Sequence, residues 1–128
     1  MDPAIEVSIP KEIVQMIFES AKTLHPKETL FLLRGKTREH EIAISEIVIP
    51  PSATYGRGFA GLSMLRLPVD FSIIGTAHSH PSESLAPSVE DLNHALGKVT
   101  FVVAYPYEGM DSIAVYNRKG EKLKLRIT

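Results

Sequence analysis

The segment Gly75–Asp91, GTAHSHPSESLAPSVED, carries two histidines one residue apart, a proline, a polar stretch, and then a serine three residues before an aspartate. With the preceding DFSII it reads as the end of a central strand, a loop, and the start of a short helix. Pro87 precedes that helix, Ser88 suits its N-cap, and Gly97 closes it. Side chains at i and i+2 of a strand project from one face, with Cα atoms roughly 6.6 Å apart. His78 and His80 can therefore converge on one ion at Zn–N distances of about 2.0–2.1 Å. Asp91, at the third position of the helix, is the candidate third ligand if the loop Pro81–Pro87 folds back beside the strand end. Two imidazoles and one carboxylate leave a coordination position open, the mark of a catalytic zinc site rather than a structural one. The same set also suits non-haem Fe(II). A plainer reading stands beside this one. Ser88-x-x-Asp91 is nearly a capping box on its own, and His-x-His can be two half-exposed polar residues at a strand end.

Working outward, KEIVQMIFESAKTLH after Pro10 spaces Ile13, Val14, Ile17, Phe18, Ala21 and Leu24 as one helical face. Pro10 suits the first turn, and Pro26 ends the helix near His25. ETLFLLRG reads as a buried strand stopped by Gly35, and HEIAISEIVI as the next strand, ended by Pro50-Pro51. SATYGRGFAGLS, residues 52–63, reads as a loop leading into a brief strand near Leu62 to Leu67. VTFVVAYP reads as a further strand, and DSIAVYNRKGEKLKLRI as a hairpin turning at Asn117–Gly120, where Gly120 supplies a positive φ. The order helix, strands, helix, strands gives an α/β chain with a mixed sheet and at least two packed helices.

The 128 residues read as a single domain, 1–128, long enough to bury a core. A hydrophobic content of 44% against 23% charged residues is ordinary for a globular chain. The formal net charge of −1 gives no electrostatic footprint for nucleic acid, and there is no polybasic block for a membrane surface. No apolar run approaches the roughly 20 residues of a membrane span. The acidic, mixed start MDPAIEVSIPKE is unlike a signal peptide, so a cytoplasmic location is expected. Cysteine is absent, which removes disulfides, zinc–thiolate sites and cysteine nucleophiles together. Any metal site in this chain must use histidine and carboxylate.

The stretch HSHPSESLAPSVED resembles the motif of the JAMM, or MPN+, zinc metalloproteases at every position: His-x-His-Pro, six residues, then Ser-x-x-Asp. The upstream stretch HPKETLFLLRG is similar to the part of that family carrying its motif glutamate, which falls on Glu28. Nearly the whole chain follows the family order, nearest to the short stand-alone archaeal and bacterial (desampylase-like) members. One departure is Phe31, where the family usually has a small residue in Glu-x-x-Gly-Leu-Leu; the expectation is altered packing and pocket shape. The resemblance implies a three-layer α/β/α sandwich around a mixed curved sheet, of the cytidine-deaminase-like kind. It implies one Zn2+ held by His78, His80 and Asp91, with Glu28 as general acid/base and Ser88 donating to the oxyanion. It implies hydrolysis of the isopeptide bond between a lysine and the C-terminal glycine of a ubiquitin-like modifier, of the small archaeal modifier or sulfur-carrier type. The glycine-rich 52–63 loop would then order along the modifier's tail as an added strand. Two other readings stay open: a metallopeptidase trimming the C-terminus of a sulfur-carrier protein, and a non-catalytic scaffold domain that binds ubiquitin-like partners. A homodimer is compatible with each. His25, His40 and His94 are given no catalytic part: His25 is expected to meet the helix dipole, His40 to lie on the surface, and His94 on the second helix.

Overall fold

The computed structural model describes residues 5–49, 72–93 and 97–128. In chain order the elements are β1 (Glu6–Ile9), α1 (Lys11–Leu24), β2 (Leu30–Thr37), β3 (Glu41–Val48), β4 (Ile73–His80), α2 (Val89–Asn93) and β5 (Val99–Ala104). A 3-10 turn, Met110–Ser112, then leads to β6 (Ile113–Asn117) and β7 (Lys124–Ile127). The strands form one seven-stranded sheet in the order β6-β5-β4-β2-β3-β1-β7. It is mixed: β4 runs antiparallel to β2 but parallel to β5, and β1 runs parallel to both β3 and β7.

The alternation of strand side chains divides the sheet into two faces. Phe31, Leu33, Ala77, Phe101, Val103, Ile113 and Val115 project toward Ile13, Val14, Ile17 and Ala21 of α1, and these residues share one core. Val102, Ala114 and Tyr116 project the other way and pack against Leu85 of the β4–α2 loop, whose carbonyl accepts a 2.7 Å hydrogen bond from the Tyr116 hydroxyl. The layers are α1, the curved sheet, and the returning segment that carries α2, as expected of an α/β sandwich of this kind. Pro10 caps α1 instead of entering its first turn, and the helix stops at Leu24, where the His25 amide closes on the Ala21 carbonyl. Phe31 sits opposite Ala77 in the α1-side core, on the face away from the two histidines. Its bulk is accommodated by alanine across the ladder, so the departure at this position alters the core and not the cleft, contrary to the expectation for pocket shape.

The C-terminal hairpin is only half formed. Its turn is as expected: Gly120 has φ +84° and donates to the Asn117 carbonyl, while the Asn117 side chain gathers the Lys119 and Glu121 amides. Beyond Leu123, however, β7 leaves β6 and pairs in parallel with β1, Glu6 facing Lys124 and Ile9 facing Ile127. The sheet curls until its ends approach, so β7 covers the otherwise open edge of β1 and turns Leu125 and Ile127 toward the core. The expected 52–63 loop, the strand near Leu62–Leu67 and His94 lie outside the described residues.

Gly97 brings the returning segment back onto the sheet. It has φ +81°, and a Cβ there would run into the Ile74 backbone, whose carbonyl accepts the Lys98 amide at 2.8 Å. At Gly120 an added Cβ meets only the end of the Leu92 side chain. Gly97→Ala should therefore cost more than the ~1 kcal/mol that the left-handed conformation alone imposes, by about 1–3 kcal/mol, and Gly120→Ala should stay near ~1 kcal/mol. Urea unfolding of the two variants checks the difference.

Candidate metal centre and cleft

His78 and His80 project from the β4 face opposite α1, as their i, i+2 spacing requires. His78 is buried at 1% exposure beneath the returning segment, while His80 faces an open cleft. Ser88 and Asp91 form the capping box that their spacing announced. The Asp91 amide donates to Ser88 Oγ at 2.9 Å and the Ser88 amide donates to Asp91 Oδ2 at 2.8 Å. The cap does two things at once. It starts α2, and it fixes the carboxylate so that both oxygens reach histidine nitrogens. Asp91 Oδ2 lies 3.0 Å from His80 Nε2, and Oδ1 lies 3.5 Å from His78 Nδ1, a close polar contact and not a hydrogen bond.

Glu28, His80, Ser88 and Asp91 line one cleft of about 500 Å³, walled by the loop Pro81–Ala86. Every candidate residue from the sequence is thus in this region, with His78 in the wall behind. His80 Nδ1 lies 3.1 Å from the Ser84 carbonyl, which can only accept, so Nδ1 carries a proton. Nε2 is then the nitrogen left to meet either a second proton or a metal, and here it meets the Asp91 carboxylate. By its chemistry the donor set, two imidazoles and a carboxylate, suits a cation such as zinc, with N···O separations of 3.0 and 3.5 Å. Among the described residues, however, no three such side chains are gathered as a ready-made metal-holding group.

The two imidazoles are tuned in opposite directions. Burial lowers His78 to about 4, against the pull of Asp91 and with a smaller push from neighbouring His80. The hydrogen bond to Asp91 raises His80, partly offset by burial and helped by the Ser84 carbonyl. Burial alone would raise the Asp91 carboxyl, but the hydrogen bond from His80, the nearby His78 and the Ser88 amide outweigh it and hold Asp91 at about 2. At neutral pH His78 is therefore a neutral imidazole, the form that ligates.

Several supports were not singled out in the sequence. Tyr107, fully buried with φ +60°, donates its hydroxyl proton to the His80 carbonyl at 3.1 Å and takes a 3.0 Å hydrogen bond from His25 Nδ1. His25 also stacks on Tyr105 at 4.9 Å, so its observed partners are aromatic residues of the β5–β6 connection. Ser79 and Thr29, both at 0% exposure, tie the His-x-His strand to the segment entering β2. No spacing rule points to any of them, since their partners lie 27 to 82 residues away. His40 is exposed beside Glu39, as expected.

A curved mixed sheet that sets one histidine and a helix-borne carboxylate in an open cleft, with a second histidine buried behind them, defines an α/β domain of the JAB/MPN type. Comparison with known proteins agrees. The model for prokaryotic homologs of the JAB domain matches residues 10–117, and the chain belongs to that family. A protein of Haloferax volcanii described as a probable metalloprotease is 28% identical over 122 residues, covering 90% of this chain and 75% of its own. A solved structure described as JAMM, a metalloprotease-like zinc site in the proteasome and signalosome, superposes with a TM-score of 0.67 at 32% identity, covering 97% of each chain. A JAB1/MPN-domain protein of Archaeoglobus fulgidus also gives a TM-score of 0.67, at 30% identity and 99% coverage of each chain.

The His78 shift has a measurable consequence. A folded value near 4 beneath the ordinary 6.5 means that burial of the neutral ring is fully compatible with folding above pH 6.5. That contribution is lost as pH falls from 6.5 through 4. In metal-free protein, the stability advantage of wild type over His78→Asn should shrink by about 3 kcal/mol between pH 7 and pH 4. Urea titrations of both proteins with chelator present check this.

Proposed function

We propose that the protein is a zinc-dependent isopeptidase, hydrolysing the bond between the C-terminal glycine of a ubiquitin-like modifier and a lysine ε-amine. The observation that carries this reading is the single cleft in which His80, Asp91, Ser88 and Glu28 meet, with His78 behind them. Family membership and the resemblance to a probable metalloprotease support it.

His78, His80 and Asp91 would hold one zinc ion. When bound, zinc lowers the pKa of a coordinated water to about 7 and makes a nucleophile available at neutral pH. Glu28, across the cleft, accepts the proton of the attacking water and delivers it to the leaving amine as the C–N bond breaks. Ser88 Oγ already accepts the Asp91 amide, which leaves its own O–H proton free to donate. That proton is directed to the oxygen of the substrate carbonyl as negative charge develops there. A lysine-linked glycine tail suits an open cleft, because a flexible isopeptide branch must reach the site from the surface of a folded conjugate. The modifier would be of the small archaeal modifier or sulfur-carrier type.

The test is cleavage of a conjugate bearing a Gly–ε-Lys isopeptide bond, beside a linear fusion of the same modifier, with bound zinc measured in parallel. Release of the modifier should stop with chelator and return with zinc. Glu28→Gln should retain zinc and lose about 10²–10⁴ in kcat. Bound zinc with neither substrate cleaved would favour C-terminal trimming of a sulfur-carrier protein, and absence of both zinc and cleavage would favour a scaffold domain. Ser88→Ala removes the oxyanion donor and the cap acceptor together. It should lower kcat by about 10²–10³ while zinc stoichiometry is kept, and lower stability by about 1 kcal/mol, read from single-turnover rates and urea unfolding.

A further inference from the structure

Ser79 is the residue between the two histidines, and its side chain projects to the opposite face of β4. It is fully buried, as is Thr29, the residue that follows Glu28. The β2–β4 ladder runs to the pair Leu30 and His78, and one step beyond it Thr29 faces Ser79. Half of that step is ordinary main chain: the Ser79 amide donates to the Thr29 carbonyl at 3.2 Å. The other half is carried by a side chain. The Thr29 amide donates to Ser79 Oγ at 2.9 Å, and the Thr29 hydroxyl lies 3.2 Å from the same oxygen.

We propose that Ser79 is a positioning residue for Glu28, its hydroxyl serving as the acceptor that fixes the Glu28–Thr29 peptide against the His-x-His strand. The inference rests on the reading of Glu28 as general acid/base. The Thr29 amide belongs to the peptide plane that also holds the Glu28 carbonyl, so anchoring it fixes the backbone from which the Glu28 side chain springs. The same residue of β4 thus sets the distance between the proton-transfer carboxylate and the two imidazoles on either side of it. In Ser79→Ala the Thr29 amide and hydroxyl lose this acceptor in a fully buried setting, where an unmade hydrogen bond is costly, and the strand entrance must shift. His78 and His80 keep their ladder to β5, opposite Val102 and Ala104. A misplacement of about 1 Å is enough to cost on the order of 10²-fold in rate. The expected signature is therefore a loss in rate without a loss of metal.

The experiment compares wild type, Ser79→Ala, Glu28→Gln and the double variant, each zinc-loaded, on the isopeptide-linked conjugate. Zinc content and amide hydrogen exchange at Thr29 are measured without substrate. Ser79→Ala should keep one zinc per chain, lose Thr29 amide protection, and lose about 10–100-fold in kcat with KM little changed. In the Glu28→Gln background it should cost nothing further, because it acts through that carboxylate. An equal loss in both backgrounds, an unchanged rate, or unchanged Thr29 protection would each overturn the proposal. If wild type cleaves nothing, the isopeptidase reading fails by itself, and the Thr29 exchange and the Glu28 position in a crystal structure of Ser79→Ala still decide the positioning role. If Ser79→Ala does not fold, Ser79→Cys keeps the side-chain size, offers a poorer acceptor, and carries the same comparison.

Discussion

The parallel pairing of β4 with β5 is the constraint on which the rest of the structure depends. Gly75 faces Val99 and His80 faces Ala104, so the chain that leaves β4 at His80 must travel back about 16 Å before it can start β5. Parallel neighbours cannot be joined by a tight turn. The return path lies over the face of the sheet opposite α1, and it carries Ser88 and Asp91 across the side from which His78 and His80 project. The cleft is a by-product of that crossing. A hairpin between the same two strands would have left the histidines on a bare sheet face with no carboxylate above them.

Burial then separates two chemically identical side chains. His78, under the returning segment, is held neutral by desolvation. His80, at the mouth, is held toward its protonated form by the carboxylate it touches. Asp91 serves both, and it can do so because the Ser88 amide holds one of its oxygens in place. His80 Nε2 meets Asp91 Oδ2 at 3.0 Å, so the nitrogen that a cation would take is also the one that a second proton would take. Proton and metal compete for the same nitrogen, which is the general reason that histidine–carboxylate sites load poorly in acid.

The supports behind the site run through the core and not around its rim. Tyr107 holds the His80 carbonyl from below, and His25 at the end of α1 holds the Tyr107 hydroxyl. The first helix is therefore linked to a candidate ligand through two hydrogen bonds, although it contributes nothing to the cleft lining described for Glu28, His80, Ser88 and Asp91. Ser79 and Thr29 make the corresponding link from β4 to the Glu28 segment. Placing candidate groups on strand ends and a helix start, with their neighbours locked in the core, is what keeps them within the small tolerances that proton transfer demands.

By itself the sequence determined the local rules. Helical spacing placed α1, strand alternation put His78 and His80 on one face, and Ser88-x-x-Asp91 announced a capped helix. These are short-range consequences of side-chain period and backbone hydrogen-bonding need, legible from a few neighbouring residues. The motif resemblance assembles the same residues into one candidate site. What only the tertiary structure decided depends on which strands meet. The C-terminal hairpin gives way to parallel pairing of β7 with β1, because an open edge 115 or more residues away in sequence competes for its backbone groups. Phe31 turns into the α1-side core because Ala77 across the ladder leaves it room. Tyr107, His25, Ser79 and Thr29 acquire their parts only through partners distant in the chain. The opposite tuning of His78 and His80 follows from depth of burial, a property that a strand inherits from whatever the rest of the chain lays over it.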